Sequence, residues 1–98
     1  MIINKQLNGS ALTLALEGRL DTVTSPELDK VLDENLDGAE SLVLDFAGLD
    51  YISSAGLRVL LSAHKAMAGK GGMKVVNVKD IVKEVFDVTG FADILDIE

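Results

Sequence analysis

Two adjacent serines, Ser53 and Ser54, stand where a short apolar run gives way to a helical pattern. A serine hydroxyl in this position can cap the helix by accepting a hydrogen bond from an unpaired N–H group of the first turn. The same N–H groups and the positive end of the helix dipole also favour a phosphate dianion. A serine here could therefore carry a phosphate without disrupting the helix, and the two interpretations are compatible.

The neighbours of Ser54 do not support a role as a catalytic nucleophile. The Gly-x-Ser-x-Gly motif of hydrolases needs glycine on both sides of the serine; Gly56 matches, but Ile52 occupies the other glycine position. Such a serine also needs a base about 3 Å away. The single histidine, His64, follows ten residues later in the same predicted helix, which separates the two backbones by about 15 Å. We therefore predict no enzymatic activity and interpret His64 as a structural or surface residue.

Three acidic residues, Asp21, Asp45 and Asp50, could form a pocket for a divalent cation, as in receiver domains. Such a site also needs adjacent acidic residues after the first strand and a lysine after a late strand, and this pattern is missing. We interpret Asp21 and Asp50 instead as residues that shape loops and cap turns. Residues 69–72, Gly-Lys-Gly-Gly, lack the spacing of a phosphate-binding loop and are predicted to form a turn. The sequence thus predicts no metal and no cofactor.

The composition argues against several classes of partner. The 98 residues have a formal net charge of −7 and include no cysteine, which excludes disulfides and thiolate metal sites. The nine lysines and arginines are scattered, so we expect neither nucleic acid nor an anionic membrane as a partner. No apolar run approaches the roughly 20 residues that span a bilayer, and residues 1–5 lack the apolar stretch of a signal peptide. We predict a single cytoplasmic domain over residues 1–98.

Hydrophobic periodicity predicts the elements that must position the serines. Asn8-Gly9 predicts a hairpin turn. It is followed by a strand of alternating leucines, Leu12 to Leu16, which Gly18 ends. The first helix is predicted to be capped by Ser25, with Pro26 at its first position.

The rest of the chain alternates between strand and helix. The apolar run 42–46 predicts a strand buried on both faces of a parallel sheet. A helix is predicted from Ser54 to Ala68, and a strand with Val75, Val76 and Val78 follows it. The last elements are a helix with Ile81 to Phe86, which Gly90 ends, and a strand at 94–97. Right-handed crossovers join parallel strands in such an order. The predicted fold is α/β, with a mixed, mostly parallel sheet of about four or five strands, three helices and an opening β-hairpin.

Three segments carry a more specific signature. The first is LVLDFAGLDYISSAGLRVLL, residues Leu42–Leu61, and the others are Glu17–Asp21 and Val85–Phe91. These segments closely resemble the bacterial anti-sigma factor antagonists, which are single STAS domains. The order of elements matches as well, so the resemblance covers nearly the whole chain and implies the STAS fold.

The resemblance implies a switch controlled by phosphorylation. In this family the unphosphorylated antagonist binds an anti-sigma factor, which is also an ATP-dependent serine kinase, and so frees a sigma factor; a serine phosphatase restores the unphosphorylated form. The phosphorylated serine usually lies two positions before the motif glycine, which points to Ser54 before Gly56. Ser53, where many relatives have aspartate, is the alternative. The implied partner-binding residues are Asp21, Thr22, Ser53, Ser54, Gly56 and Arg58.

Two other functions stay open from the sequence. The domain could act as an interaction module in a different signalling complex. It could also sense a small nucleotide, as some relatives are reported to bind nucleotides, although no motif here supports nucleotide binding.

Overall fold

The structure, a computed structural model that describes residues 1–98, contains five strands and three α-helices in the predicted order. The strands are β1 (Ile2–Asn8), β2 (Ala11–Leu20), β3 (Ser41–Ile52), β4 (Met73–Val76) and β5 (Asp96–Ile97). The helices are α1 (Ser25–Asn35), α2 (Ser54–Met67) and α3 (Asp80–Thr89), with short 3-10 turns at Leu36–Gly38 and Phe91–Asp93. None of these helices is long and apolar enough to cross a bilayer.

The strands form one sheet in the order β1-β2-β3-β4-β5. β1 pairs antiparallel with β2, and every other neighbouring pair is parallel. The predicted mostly parallel sheet with an opening hairpin is therefore confirmed. Because each right-handed crossover steps to the next strand in the same direction, the three helices are placed on the same face of the sheet.

The hydrophobic core lies between the helices and that face. Leu42, Leu44 and Phe46 of β3 are buried, whereas the intervening Val43 is partly exposed. The prediction of a strand buried on both faces is therefore wrong, because the helices pack against one face only. Among the fully buried core residues only Phe46 and Phe86 of α3 are aromatic, and their ring centroids lie 6.3 Å apart.

The opening hairpin turns one residue later than predicted. Asn8 still pairs with Ala11 as part of β1, so the turn residues are Gly9 and Ser10. Gly9 has φ +62, and Ser10 is not in the left-handed region. A positive φ at the first turn position alone is the pattern of a type II′ turn, which matches the twist of the two strands.

β2 and β3 both run further than predicted. Gly18 has φ +104 and lies at a register irregularity, but β2 continues past it to Leu20. Residues 47–52, which lie beyond the predicted strand at 42–46, belong to β3, and the end of this segment pairs with the end of β2, the last pair being Leu20 with Ile52. Both strands therefore end at the same level of the sheet.

Smaller differences concern the later strands. Val78 lies beyond the end of β4, and β5 has two residues in place of the predicted 94–97. The predicted end of α3 is confirmed, since Gly90 follows it with φ +81 in the left-handed conformation that glycine adopts easily.

The predicted turn at residues 69–72 is confirmed and also secures the end of α1. The ammonium group of Lys70 donates hydrogen bonds to the carbonyl oxygens of Leu36, Asp37 and Ala39, at 2.7, 3.3 and 3.0 Å. A cation is favourable beside the carbonyl oxygens at the C-terminal end of a helix.

Gly56 lets α2 pack closely against the ends of β2 and β3. A Cβ atom at this buried position would lie 2.8 Å from Cγ of Leu20 and 2.9 Å from Cγ1 of Ile52. Carbon atoms that are not bonded to each other pack at about 3.5–4.0 Å. Any larger residue must therefore displace the helix or the two core side chains.

We expect Gly56→Ala to lower the free energy of unfolding by about 1–2 kcal/mol, because overpacking costs about 1–3 kcal/mol and alanine recovers up to about 1 kcal/mol of helix propensity. Gly69→Ala is the matched control, since a Cβ atom there meets nothing within 4 Å. Urea denaturation followed by circular dichroism measures both. Equal midpoints for the two variants would contradict the packing role.

Candidate functional site

A backbone hydrogen bond joins the end of β2 to the start of α2. The N–H of Ser53 donates to the carbonyl oxygen of Leu20 at 2.9 Å, directly after the last β2–β3 pair. Because Asp21 follows Leu20, this bond places the β2–α1 loop beside the first turn of α2. Two of the predicted site segments, 21–22 and 53–54, are thereby brought together.

The two serines occupy different positions at the helix start. Ser53 is the N-cap, with extended backbone, and its partly buried Oγ accepts a hydrogen bond from the N–H of Gly56 at 3.4 Å. Ser54 is the first residue of α2 and is exposed, and its hydroxyl forms no hydrogen bond with the rest of the chain. One hydroxyl is therefore used by the fold, and the other is free.

The carboxylate of Asp21 organises the loop between β2 and α1. Its Oδ1 accepts hydrogen bonds from the N–H groups of Val23 and Thr24, each at 3.0 Å. The Thr24 hydroxyl lies 3.1 Å from the same oxygen, donates to the carbonyl oxygen of Arg19 at 2.7 Å, and accepts a hydrogen bond from the Asp21 N–H at 2.8 Å. The interpretation of Asp21 as a loop-shaping residue is therefore confirmed.

The predicted capping role of Ser25 is wrong. Ser25 is already the first residue of α1, and Thr24 takes the N-cap position without a side-chain capping bond. Ser25 is buried, and its hydroxyl donates to the carbonyl oxygen of Asp21 at 2.5 Å. The N–H groups just before the helix donate to the Asp21 carboxylate, so the Asp21 loop takes the place of the expected Ser25 cap.

These hydrogen bonds hold the pKa of Asp21 below its ordinary value of 3.8, and the Thr24 N–H is the largest cause. Desolvation opposes the effect, while the Thr24 hydroxyl, the Val23 N–H and the Arg19 guanidinium reinforce it. Arg19 Nε lies 3.9 Å from Oδ2. Because the folded pKa is the lower one, the stability that this carboxylate contributes is present above pH 3.8. It is lost as the pH falls through the folded value.

Two exposed side chains that the sequence did not single out belong to the segments that adjoin the site. Tyr51 is 37% exposed, and the Arg19 guanidinium lies over its ring, 4.2 Å from the centroid. Val23 is 81% exposed in the β2–α1 loop. The Arg19–Tyr51 contact follows from the β2–β3 register, in which these residues are partners, so no local sequence signal could have revealed it.

Thr24 was also missed, although a local signal for it exists. An aspartate three residues before a threonine, as in Asp21 and Thr24, is a spacing at which side chains commonly bind loop N–H groups. Ser25 and Pro26 form an equally good pattern for a helix start. The sequence therefore offered two patterns for the start of α1 and did not decide between them.

A shallow groove of about 240 Å³ separates the starts of α1 and α2. Thr22 and Arg58, two of the predicted partner-binding residues, line it together with Ser25, Pro26, Asp29, Ala55 and Val59. Gly56, predicted as a partner contact, is buried instead. Its contribution to the site is therefore the packing of α2.

The three aspartates considered for a metal pocket have separate partners. Asp45 Oδ1 accepts a hydrogen bond from the Asn77 side-chain amide at 3.0 Å, and Asp50 Oδ1 lies 2.5 Å from the ammonium group of Lys79. No group of three or more histidine or acidic residues is arranged to hold a metal ion. Lys79 lies 29 residues from Asp50 in the sequence, so the pair could not be predicted from local spacing.

His64 has the environment of a structural histidine. It is partly exposed on α2, and its Nδ1 atom is buried without a hydrogen-bond partner. The sequence-based interpretation described it as a structural or surface residue, and this environment agrees with that description.

Comparison with known proteins reveals clear similarities. A family model described as STAS domain matches residues 3–98. BtrV of Bordetella bronchiseptica, a protein assigned as an anti-sigma factor antagonist, is 36% identical over 88 residues. The match covers 88% of this chain and 76% of BtrV.

Solved structures share the fold. An anti-sigma factor antagonist from Mycobacterium paratuberculosis matches with a TM-score of 0.88 at 20% identity, covering 98% of this chain and 83% of that one. The phosphorylated form of the Bacillus cell fate determinant SpoIIAA matches with a TM-score of 0.76 at 14% identity, covering 99% and 91%. At these identities the likeness concerns the fold alone.

We expect Thr24→Val to raise the pKa of Asp21, because the hydroxyl lies 3.1 Å from the carboxylate and also holds the loop through its bonds to the Arg19 carbonyl oxygen and the Asp21 N–H. Thr22→Val is the matched control, since the Thr22 hydroxyl makes no bond to the carboxylate. Titration of the Asp21 carboxyl carbon by NMR measures the change. The same pKa in both variants would show that the Thr24 side chain does not act on Asp21.

Proposed function

The chain belongs to the STAS domain family, and from this premise we propose that it is an anti-sigma factor antagonist whose binding to an anti-sigma factor is switched off by phosphorylation of Ser54. We choose Ser54 because the hydroxyl groups of the two neighbouring serines differ in their surroundings. That of Ser53 caps α2, whereas that of Ser54 is exposed and free.

Ser54 is suited to carry a phosphate without a change of fold. A kinase would transfer the terminal phosphoryl group of ATP to the Ser54 oxygen and release the hydroxyl proton. The product places a dianion at the N-terminus of a 14-residue helix, where unpaired N–H groups and the helix dipole favour negative charge. The Ser53 cap and the packing at Gly56 need not move.

The same phosphate would break a complex formed over this surface. Phosphorylation adds about −1.5 to −2 charges and three acceptor oxygens. In a closed interface the dianion would lose its water, and the carboxylates of Asp21 and Asp50 would add like-charge repulsion. A penalty of about 3–4 kcal/mol weakens binding by roughly a hundred- to a thousandfold.

The partner surface that we propose surrounds Ser54. It includes Thr22 and Arg58 from the groove, and it gains two exposed side chains, Val23 and Tyr51, that can contribute apolar contact area. The proposed partner is an anti-sigma factor that is also an ATP-dependent serine kinase, with a serine phosphatase to reverse the modification. We place this cycle in the cytoplasm and assign no catalytic reaction to the chain itself.

Incubation with the cognate anti-sigma factor kinase and ATP is expected to add one phosphate, on Ser54, located by intact and peptide mass spectrometry. Ser54→Ala should take up none. Ser53→Ala, the matched control, should still be phosphorylated, although loss of the cap costs about 1 kcal/mol of stability. Calorimetric titration should show that the phosphorylated protein binds the anti-sigma factor at least a hundredfold more weakly than the unmodified protein does.

Phosphate on Ser53 would change the assigned position of the modification, while control of binding by phosphorylation would stand. Absence of phosphate on both serines, with a kinase shown to be active and to bind the chain, would contradict control by phosphorylation. It would favour a partner-binding domain that is always active.

A further inference from the structure

Arg58 is an uncommitted cation one helical turn from Ser54. It is exposed on α2 and takes part in no ion pair within 4.0 Å and in no side-chain hydrogen bond. Residues four apart are neighbours on a helix surface, with Cβ atoms about 5–6 Å apart. The long arginine side chain can therefore reach a group attached to the Ser54 oxygen.

Other charged groups near Ser54 do not compete strongly for this role. The first turn of α2 contains no acidic residue, and Asp29, which lines the same groove as Arg58, forms no ion pair with it. Arg19 is held over the ring of Tyr51 and beside Asp21. Arg58 is therefore the arginine of the site that is free to take a new anion.

We propose that Arg58 binds the phosphate on Ser54 in the phosphorylated protein, through charge-assisted hydrogen bonds from the guanidinium to the phosphate oxygens. The inference rests on the proposed phosphorylation of Ser54 and names the residue that receives the phosphate. An anion four residues before a cation is also the favourable order on a helix. The pair therefore reinforces the start of α2.

The contact between Arg58 and the phosphate adds a second effect of phosphorylation on the partner surface. In the unmodified chain the guanidinium of Arg58 lines the groove and is available to a partner. Once the phosphate holds it, the surface has gained a dianion and has lost its free arginine. Both changes weaken the binding of a partner that presents an acidic group to this groove.

Phosphoserine incorporated at position 54 during translation provides the modified protein without a kinase. Titration by phosphorus NMR then reports the second pKa of the phosphate, which is about 6 for phosphoserine. Because a nearby cation lowers this pKa, Arg58→Gln should raise it by about half a unit. Lys65→Gln is the matched control, since it removes the same charge from an exposed position that lies about 16 Å from Ser54 along the helix. Arg58→Lys should raise the pKa by less than Arg58→Gln, because lysine keeps the charge and loses the bidentate geometry.

Equal phosphate pKa values in the Arg58→Gln and Lys65→Gln proteins would overturn the proposal. Circular dichroism of every variant checks that α2 is intact. If Arg58→Gln does not fold, Arg58→Ala, which also removes the charge, takes its place, and a shift no larger than that of Lys65→Gln overturns the proposal. A kinase that ignores Ser54 would count against the proposed function but would leave this titration unchanged, so the two failures are distinguishable.

Discussion

The hydrogen bond from the N–H of Ser53 to the carbonyl oxygen of Leu20 is the constraint on which the site depends. It forms because β2 and β3 stay paired as far as Leu20 and Ile52. If either strand ended earlier, these backbone groups would need other partners, and the Asp21 loop would lose this link to α2. Gly56 then allows the helix to approach the two strand ends closely. The position of the site is therefore a property of the sheet register as much as of the residues that form it.

The adjacent serines differ because a helix start treats successive residues differently. At the N-cap, the side chain of Ser53 accepts a hydrogen bond from the first turn. Serine is among the residues that cap helices best, so this hydroxyl serves the fold. Ser54, one residue later, has no such bond to make. A single helix start thus combines a hydroxyl that stabilises the fold with one that is free to be modified.

Local patterns were sufficient to predict the helices, the hairpin and the mostly parallel sheet, because apolar spacing reports directly which face of an element is buried. The extension of β3 to Ile52 could not be predicted, since residues 47–52 are held in the sheet by pairing with β2, about 30 residues earlier in the chain. The same limit applies to the pair of Asp50 and Lys79. For the site, the sequence predicted a serine at the helix start, and resemblance selected Ser54. The structure adds a physical reason for that choice, because the Ser53 hydroxyl is already in use.

The charges around Ser54 bear on how the phosphate that we propose there would act on a protein whose net charge is already −7. Asp21 lies beside Arg19, and Asp50 lies beside Lys79, so two of the acidic groups near the site have a cation nearby. Exposed charges further away are screened over about 8–10 Å at physiological salt. The charges of these two carboxylates are therefore partly compensated before modification, in spite of the acidic composition. A phosphate of about −2 then becomes the largest local charge. A change of this size can control an interface by electrostatics and desolvation alone, while the strands and helices that position it stay in place.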